Sequence, residues 1–304
     1  MPVISPSAFS SPVSRAVAAN DAAASVPAVL REKVRRLERA NSAQRRGRAA
    51  SVKLGIPAID ALLPEAFAVV REASGAWRMF YTGTSREDAG ARQTVCAATS
   101  DDLITWTKVE NLPVLAANPQ WYATLEEGFE YEAFRDPWVY KMAGETGWTM
   151  LVTAELKHAN NPRQRAAMAI AKSDDLVNWS LQPPTSQPDQ GFSETEVFQY
   201  EVVDGVPILL FCTAGPNISE ERKAAGEVGG VYSLPVREDL EDVNFEDATL
   251  FSDTSLYASR LVQDRDGGWN LIAFLNYVNG EFVGELCDPI PVTADPILGL
   301  VPKA

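Results

Sequence analysis

The chain repeats AATSDDLITW, residues 97–106, as AIAKSDDLVNW, residues 169–179. The shared pattern is Ser-Asp-Asp-Leu-x-x-Trp. In both copies a run of small apolar residues leads into a polar turn, where Ser and Asp side chains can accept hydrogen bonds from backbone N–H groups. The Trp then leads into the next strand, and we expect the Leu and Trp of both copies in the core between neighbouring sheets. A repeat of this kind predicts a fold built from similar β units.

Four further segments share one sequence pattern, in which a turn with glycine is followed by an aromatic residue or proline and then by an apolar run. They read GAWRMFYTG (75–83), TGWTMLVTA (146–154), DGVPILLFCTA (204–214) and DGGWNLIAFLN (266–276). Strand-like partners precede them, namely FAVV (67–70), PWVYK (137–141), VFQYEVV (197–203) and SRLVQD (259–264). The pairs predict four hairpins. A hairpin with a third and an outer strand makes a propeller blade, so we predict an all-β, five-bladed β-propeller whose N-terminal blade is incomplete.

The N-terminal part of the chain differs in charge from the rest. Residues 1–53 contain ten Lys and Arg against three Asp and Glu, which gives +7 and leaves −21 on the remaining residues. Leu30, Val34 and Leu37 have the spacing of one helix face. We therefore assign residues 1–50 to a partly helical or disordered basic extension and residues 51–304 to the propeller domain.

The extension also bears on location and partners. Its first 26 residues are rich in Ser, Ala and Pro, a composition that predicts disorder or an organelle transit peptide, and the sequence assigns no compartment. The basic segment that follows favours a solvated helix or an extension, with a nucleic-acid arm as the alternative. The acidic remainder repels nucleic acid and anionic membranes, so we expect neither nucleic acid nor a membrane as a partner. It does not repel neutral substrates.

Composition excludes several classes of function. The chain has 304 residues, of which 46% are hydrophobic and 22% charged, and no apolar stretch approaches the roughly 18 to 20 residues of a membrane span. Three scattered cysteines form neither a disulfide framework nor a zinc cluster. With His158 as the single histidine, histidine-dependent triads are excluded as well. We therefore expect carboxylates to carry any catalysis, without a metal or another cofactor.

The first candidate carboxylate lies in EAFRDPWVY, residues 132–140. Pro137 keeps the preceding residue extended. An aspartate at the head of an inner strand, Asp136, can accept hydrogen bonds from two sugar hydroxyls, whereas strand alternation places Arg135 on the opposite face. The alternative is a turn aspartate before a proline.

The second candidate lies in GFSETEVFQYEVVDG, residues 191–205. Alternation places Glu194, Glu196 and Phe198 on one face of a strand. We expect a glutamate beside an apolar neighbour such as Phe198 to serve as a proton donor. The alternative is a solvated glutamate at the edge of a sheet.

Together these segments resemble glycoside hydrolase family 32, the invertases, levanases and inulinases. The resemblance runs from about Trp77 to Pro291 and is closest to compact members without a second β-sandwich domain. It is carried by WRMFYTG (77–83), SDDLITW (100–106), FRDPWV (134–139), SDDLVNW (173–179), EVFQYEVVDG (196–205), SLYASRLVQD (255–264) and GEFVGELCDPIPV (280–292). It implies hydrolysis of β-fructofuranosidic bonds in sucrose or fructans by a retaining carboxylate mechanism.

The resemblance also implies roles for individual residues. The family's transition-state stabiliser falls on Asp136 and its acid/base on Glu196, while Arg135 would brace the neighbouring carboxylates. Tyr257 falls on an aromatic site of the family pattern and would contact substrate, with core packing as the alternative. Phe198 stands where the family strand has proline.

One element of the family has no match. Its nucleophile is an aspartate in a first-blade strand with Trp and Asn or Ser around it, and only Asp21 and Asp60 precede Trp77. Neither matches that strand. The resemblance therefore implies either a hydrolase impaired by loss of the nucleophile strand or a degenerate propeller that binds carbohydrate or protein without turnover. An arabinan-cleaving propeller of a neighbouring family is a third reading.

Overall fold

The computed structural model describes residues 67–85, 87–142, 144–278 and 281–303. The predicted extension at 1–50 and the start of the predicted domain at 51–66 lie outside the described residues, as do Asp21 and Asp60. In the described part of the chain, no helix has the length and hydropathy that crossing a bilayer requires.

The strands form four antiparallel sheets that follow one another along the chain. The first sheet contains β1 (Phe67–Arg71), β2 (Trp77–Thr84), β3 (Gln93–Ser100) and β4 (Thr107–Lys108). The second contains β5 (Phe134–Tyr140), β6 (Trp148–Glu155), β7 (Ala166–Ser173) and β8 (Ser180–Leu181). The third contains β9 (Glu196–Val203), β10 (Val206–Thr213), β11 (Gly230–Pro235) and β12 (Thr249–Asp253).

The fourth sheet is larger by one strand. It contains β13 (Leu256–Gln263), β14 (Trp269–Val278), β15 (Glu281–Leu286), β16 (Ile290–Asp295) and β17 (Gly299–Pro302), and β14 pairs with both β15 and β16. Helical structure in the described ranges is short. It consists of α1 (Glu220–Ala224) and the 3₁₀ turns Leu125–Glu127, Gly215–Asn217 and Phe245–Asp247.

The four predicted hairpins are confirmed. β1 pairs with β2, β5 with β6, β9 with β10 and β13 with β14, each in antiparallel register. The described part of the chain is therefore all-β in class, with four sheets in a propeller-like arrangement. The predicted fifth blade is not among the described sheets.

Alternating side chains of one strand fill the two cores between neighbouring sheets. In β6, Met150 is fully buried against Phe80 and other residues of the first sheet. The next residue, Leu151, is fully buried against Phe211 and other residues of the third sheet. Because strand side chains alternate between faces, a continuous apolar run such as 150–152 suits a sheet that is covered on both sides.

The two polar turns share the same four bonds from backbone N–H groups to Ser and Asp side chains. Ser100 and Asp102 each accept from the backbone N–H groups two and three positions further along, at 2.7 to 3.2 Å. Ser173 and Asp175 accept the equivalent bonds in the second copy. The prediction that these side chains cap the turn is confirmed.

The prediction that both leucines are core residues is wrong for one of them. Leu176 is 4% exposed and packs in the core between the first and second sheets, where the ring of Trp179 meets Phe80 edge to face. Leu103 is 46% exposed. The neighbouring Trp106 packs with Met79, on the face of β2 opposite to Phe80, in a small cluster formed by residues of the first sheet.

Candidate active site

Arg135, Glu196 and Tyr257 occupy equivalent positions in three successive sheets. Each is the first or second residue of the inner strand, β5, β9 or β13, and they follow one another at intervals of 61 residues. The Nη2 of Arg135 donates to Glu196 Oε1, and Tyr257 Oη donates to Glu196 Oε2. The propeller-like arrangement therefore brings three predicted site residues into one hydrogen-bonded group.

The residue after each of these three has a left-handed backbone, so the prediction that Pro137 keeps Asp136 extended is wrong. The φ angles are 57° at Asp136, 59° at Val197 and 48° at Ala258. Each inner strand also shifts its register with its partner at this point. Positive φ is costly for any residue other than glycine, and most of all for a β-branched residue such as Val197. A bulge re-aims side chains, and here the same bulge in three sheets turns the three positions toward each other.

The bulges overturn two predictions that assumed regular alternation. Arg135 and Asp136 do not separate to opposite faces, because Arg135 Nε lies 3.4 Å from Asp136 Oδ2. Phe198 is fully buried and stacks on Phe245 in the core between the second and third sheets. The carboxylate of Glu196 instead meets Arg135 and Tyr257, so its neighbours are polar groups rather than the predicted apolar ring.

Arg135 binds three carboxylates. Its Nη2 donates to Glu194 Oε1 at 2.5 Å as well as to Glu196, and its Nε faces Asp136. Glu194, which lies two residues before β9 begins, therefore reaches the same guanidinium nitrogen as Glu196. We call Arg135, Asp136, Glu194, Glu196 and Tyr257 the hub cluster.

The other end of the guanidinium is held as well. Arg135 Nη1 donates to Tyr131 Oη at 2.7 Å and to Gln93 Oε1 at 3.2 Å, and the guanidinium lies 5.9 Å from the Tyr131 ring centroid. Burial alone would lower the pKa of Arg135, but the Glu194, Glu196 and Asp136 carboxylates outweigh it and hold that pKa well above its usual value. Arg135 is therefore a fixed cation in the hub cluster.

Asp136 is the most buried acid of the hub cluster. Its side chain is 3% exposed, compared with 19% for Glu194 and 18% for Glu196. Its backbone N–H donates to Thr82 Oγ1 at 3.1 Å, and Thr153 Oγ1 donates to its Oδ2 at 3.4 Å. The two glutamates are therefore the solvent-accessible acids of the hub cluster.

Tyr257 is a permanent donor in the hub cluster. Burial and the adjacent Glu196 carboxylate raise the pKa of its phenol above the ordinary value of 10.0. Tyr257 therefore contacts Glu196 rather than serving only as a core residue.

The nearby Arg260 connects the inner strands, since its Nη1 donates to Val197 O at 2.8 Å and its guanidinium lies 5.0 Å from the Trp138 ring centroid.

Sequence reasoning left Glu194 and several neighbours of the hub cluster out of the predicted site. Glu194 had a signal, since it precedes Glu196 by two positions. Gln93 and Thr82 had none, because they lie on the first sheet and reach Arg135 and Asp136 only through its packing against the second, whereas Tyr131 lies four residues before Arg135 in the segment that leads into β5.

A separate cleft of about 390 Å³ is lined by none of the hub cluster residues. Arg222 is its most prominent cation, and the protein itself uses the donors of this side chain. They contact Glu227 at 2.7 Å and the carbonyl oxygens of Phe245 and Glu246 at 2.7 and 3.0 Å. Arg222 therefore has a structural role here.

The family of the chain follows from its sequence. Residues 67–282, more than two thirds of the chain, match the family model of the glycosyl hydrolases family 32 N-terminal domain. The chain belongs to glycoside hydrolase family 32. Among curated protein sequences, none matches the chain significantly.

Solved structures of family 32 and other fructan-related enzymes share the fold. A variant β-fructofuranosidase of Bombyx mori in complex with sucrose has a TM-score of 0.56 at 18% identity, over 77% of this chain and 49% of its own. A sucrose-6-phosphate hydrolase from Lactobacillus gasseri has 0.56 at 15%, over 75% and 46%. An inulosucrase from Halalkalicoccus jeotgali bound to kestose has 0.60 at 16%, over 77% and 69%.

Because all three sequence identities are low, these structural likenesses show a shared fold and nothing more. The chain spans about half the length of the β-fructofuranosidase and of the sucrose-6-phosphate hydrolase. The roles that the family pattern implies for Asp136, Glu196, Arg135 and Tyr257 stay predictions.

Proposed function

We propose that this family 32 chain hydrolyses β-fructofuranosidic bonds of sucrose or fructans at the hub cluster. One observation carries the proposal: Arg135, Asp136, Glu196 and Tyr257 form a single contact network inside the matched family segment. The carbohydrate ligands in the related structures, sucrose and kestose, support the same substrate class.

In the proposed mechanism, each residue of the network has one task. A carboxylate attacks the anomeric carbon while Glu196 gives its proton to the leaving oxygen, and Glu196 then takes a proton from the attacking water. Asp136 stabilises the oxocarbenium-like transition state. Arg135 holds the carboxylates in place, and Tyr257 orients Glu196 toward the substrate.

The extent of the fold belongs to the same proposal. We infer a fifth blade and a propeller domain that covers residues 51–304, with residues 1–50 as an extension. Exposed apolar side chains on the two outermost described sheets support this, since Ile104 is 75%, Phe282 68% and Leu286 65% exposed. A crystal structure of the full chain with these side chains open to solvent and only four sheets would overturn the inference.

The test of the function is turnover by the purified full chain. Sucrose, inulin and levan are offered in turn, and free fructose is measured over time. We expect fructose release that the Glu196→Gln variant loses. If wild type and variant release none from any of the three substrates, the hydrolase proposal is wrong.

The degenerate-propeller alternative predicts a different pair of results. It predicts that sucrose or fructan raises the melting temperature without any turnover, and that Glu196→Gln leaves this shift unchanged. Measuring the shift beside turnover distinguishes the two functions in one set of samples.

A further inference from the structure

We propose that Arg260 is a positioning residue, which aims the Glu196 carboxylate by holding Val197 in its left-handed conformation. The inference rests on the proposed role of Glu196 as acid/base. It is carried by the hydrogen bond that Arg260 Nη1 donates to Val197 O at 2.8 Å, one residue after Glu196. In this proposal Arg260 acts through Glu196 and has no contact with the sugar.

The backbone of Val197 needs support from outside its own strand. Its φ is 59°, although the residue is β-branched and its side chain is buried, and this combination is costly. At the same place β9 shifts its register with β10, between Leu210 and Cys212. An extended Val197 would remove the bulge and turn Glu196 away, because a slip of one residue exchanges the two faces of a strand. A contact that holds Val197 therefore also holds the direction of Glu196.

Arg260 joins three inner strands at one point. It lies on β13, donates to the Val197 carbonyl on β9, and has its guanidinium 5.0 Å from the ring centroid of Trp138 on β5. Its Nη1 also donates to Ser259 O at 3.2 Å. The planar guanidinium and the ring contact leave the side chain little freedom. Arg260 is therefore suited to hold the Val197 carbonyl in one place.

Arg260 belongs to a second set of equivalent positions beside the hub cluster. Trp138, Gln199 and Arg260 each follow the hub cluster residue of their strand by three positions, and they have the same interval of 61 residues. Gln199 Nε2 donates to Leu261 O at 2.9 Å, and Gln199 Oε1 accepts from the Leu261 N–H at 2.8 Å. Gln199 and Arg260 therefore each bind the backbone of a neighbouring inner strand.

The two arginines of the inner strands have different partners. Arg135 binds the carboxylates of Glu194 and Glu196, whereas Arg260 donates to backbone oxygens. Burial lowers the pKa of Arg260, so a cation at this place carries a cost in free energy. The carbonyl oxygens and the Trp138 ring reduce that cost. The partners of Arg260 therefore fit a side chain that holds backbone rather than one that binds an acid.

Arg260→Ala separates positioning from substrate binding. The kcat for sucrose should fall about ten- to a hundredfold, because a small misplacement of a reacting group has effects of this size. The KM should stay within about twofold of wild type, since the interaction is lost only in the transition state. Arg260→Lys should recover at least about threefold of the loss, because an ammonium group can still donate to Val197 O. A loss confined to KM would contradict the proposal.

Arg265→Ala is the matched control, because Arg265 lies exposed in the turn that follows the same strand. It should keep the wild-type kcat. If Arg260→Ala aggregates, Arg260→Met is assayed instead, since its unbranched side chain still packs on Trp138 but cannot donate to Val197 O.

A double variant tests whether Arg260 acts through Val197. Glycine adopts a positive φ without the steric cost of a side chain. In the Val197→Gly background, Arg260→Ala should therefore lower kcat at least about fivefold less than it does in the wild type. Ala258→Gly is the control, because Ala258 is the equivalent left-handed residue of β13 and its carbonyl does not accept from Arg260. In that background the loss should be as large as in the wild type.

A crystal structure of full-length Arg260→Ala gives a readout that does not depend on turnover. We expect an extended Val197 and a Glu196 carboxylate that no longer accepts from Tyr257. If the wild type releases no fructose, the proposed function is wrong, and this structure still decides whether Arg260 holds Val197.

Three results would overturn the inference. They are a wild-type kcat in Arg260→Ala, an equal loss of kcat with and without Val197→Gly, and a crystal structure of Arg260→Ala in which Val197 stays left-handed and Glu196 stays bound to Tyr257.

Discussion

The inner strands and the polar turns are both repeated along the chain. The inner strands repeat only their backbone conformation, whereas the turns repeat their side chains as well. At the hub the backbone is kept, with a left-handed residue after each of three equivalent positions, while the side chains change from Arg135 to Glu196 to Tyr257. In the polar turns both backbone and side chains are kept, down to the hydrogen bonds of Asp102 and Asp175. Chemistry is therefore expected where equivalent positions diverge, and stability where they stay the same.

The turns add a second lesson. Leu103 and Leu176 have the same neighbours in sequence and nearly the same φ, 62° and 65°, yet one is exposed and the other is buried. Local sequence decides the shape of the turn, whereas the neighbouring sheet decides which side chain is covered. Four predictions test this division between the hub cluster and the turns.

The largest effect is expected at the hub. Asp136→Asn keeps the size of the side chain but removes the charge that would stabilise an oxocarbenium-like transition state. Fructose release should fall by at least about 10³-fold. The melting temperature should stay within a few degrees. A variant with wild-type kcat/KM would show that Asp136 is a turn aspartate.

The leucines give the next largest effect. Leu176→Ala should lower the free energy of unfolding by about 2 to 5 kcal/mol because it leaves a cavity between two sheets. Leu103→Ala is the matched control and should change it by no more than about 0.5 kcal/mol. Urea denaturation measures both. Equal losses would mean that the two turns have the same surroundings in solution.

Tyr257→Phe should have a smaller effect on turnover. It removes a hydrogen bond to a carboxylate, which contributes about 1.5 to 3 kcal/mol, so kcat/KM should fall about ten- to a hundredfold. Because the pKa of Tyr257 lies above 10.0, its phenol keeps its proton at lower pH. The ratio of wild-type to variant activity should therefore stay constant between pH 7 and pH 9, and a ratio that falls toward pH 9 would contradict the assignment.

The smallest effect is expected in the turns. Backbone N–H groups hold the pKa values of Asp102 and Asp175 below their usual value of 3.8. A carboxyl with a lowered folded-state pKa stabilises the fold above its unfolded pKa and loses that contribution as pH falls. Asp102→Ala and Asp175→Ala should therefore both lower the melting temperature by small amounts at pH 7, and more for Asp175, which also accepts from Asn178 Nδ2 at 2.7 Å. The differences from wild type should shrink below about pH 3. Equal shifts at pH 7 would show that the additional bond to Asp175 does not contribute.

The sequence predicted the hairpins well because each combines a turn glycine with a continuous apolar run. It also predicted the capping role of Asp102 and Asp175, since Asp and Ser in a tight turn have few other partners. The convergence of Arg135 and Glu196 needed the family resemblance as well, because positions 61 apart carry no local signal of contact.

The remaining features depend on three-dimensional packing. Nothing in Val197 or Ala258 signals a left-handed residue, so alternation gave the wrong faces for Arg135 and Phe198. The exposure of Leu103 depends on which sheet lies beside its turn. The binding of Gln93 to Arg135 depends on how the first two sheets pack.

The central claim is that a sugar binds where Asp136, Glu194 and Glu196 meet. A crystal structure of the full-length Glu196→Gln variant soaked with sucrose tests it most directly. The account predicts a fructosyl unit with hydroxyls about 2.6 to 3.2 Å from the Asp136 carboxylate, and with its glycosidic oxygen facing position 196. Sucrose bound at another place, with these carboxylates still bound to the Arg135 guanidinium, would contradict it.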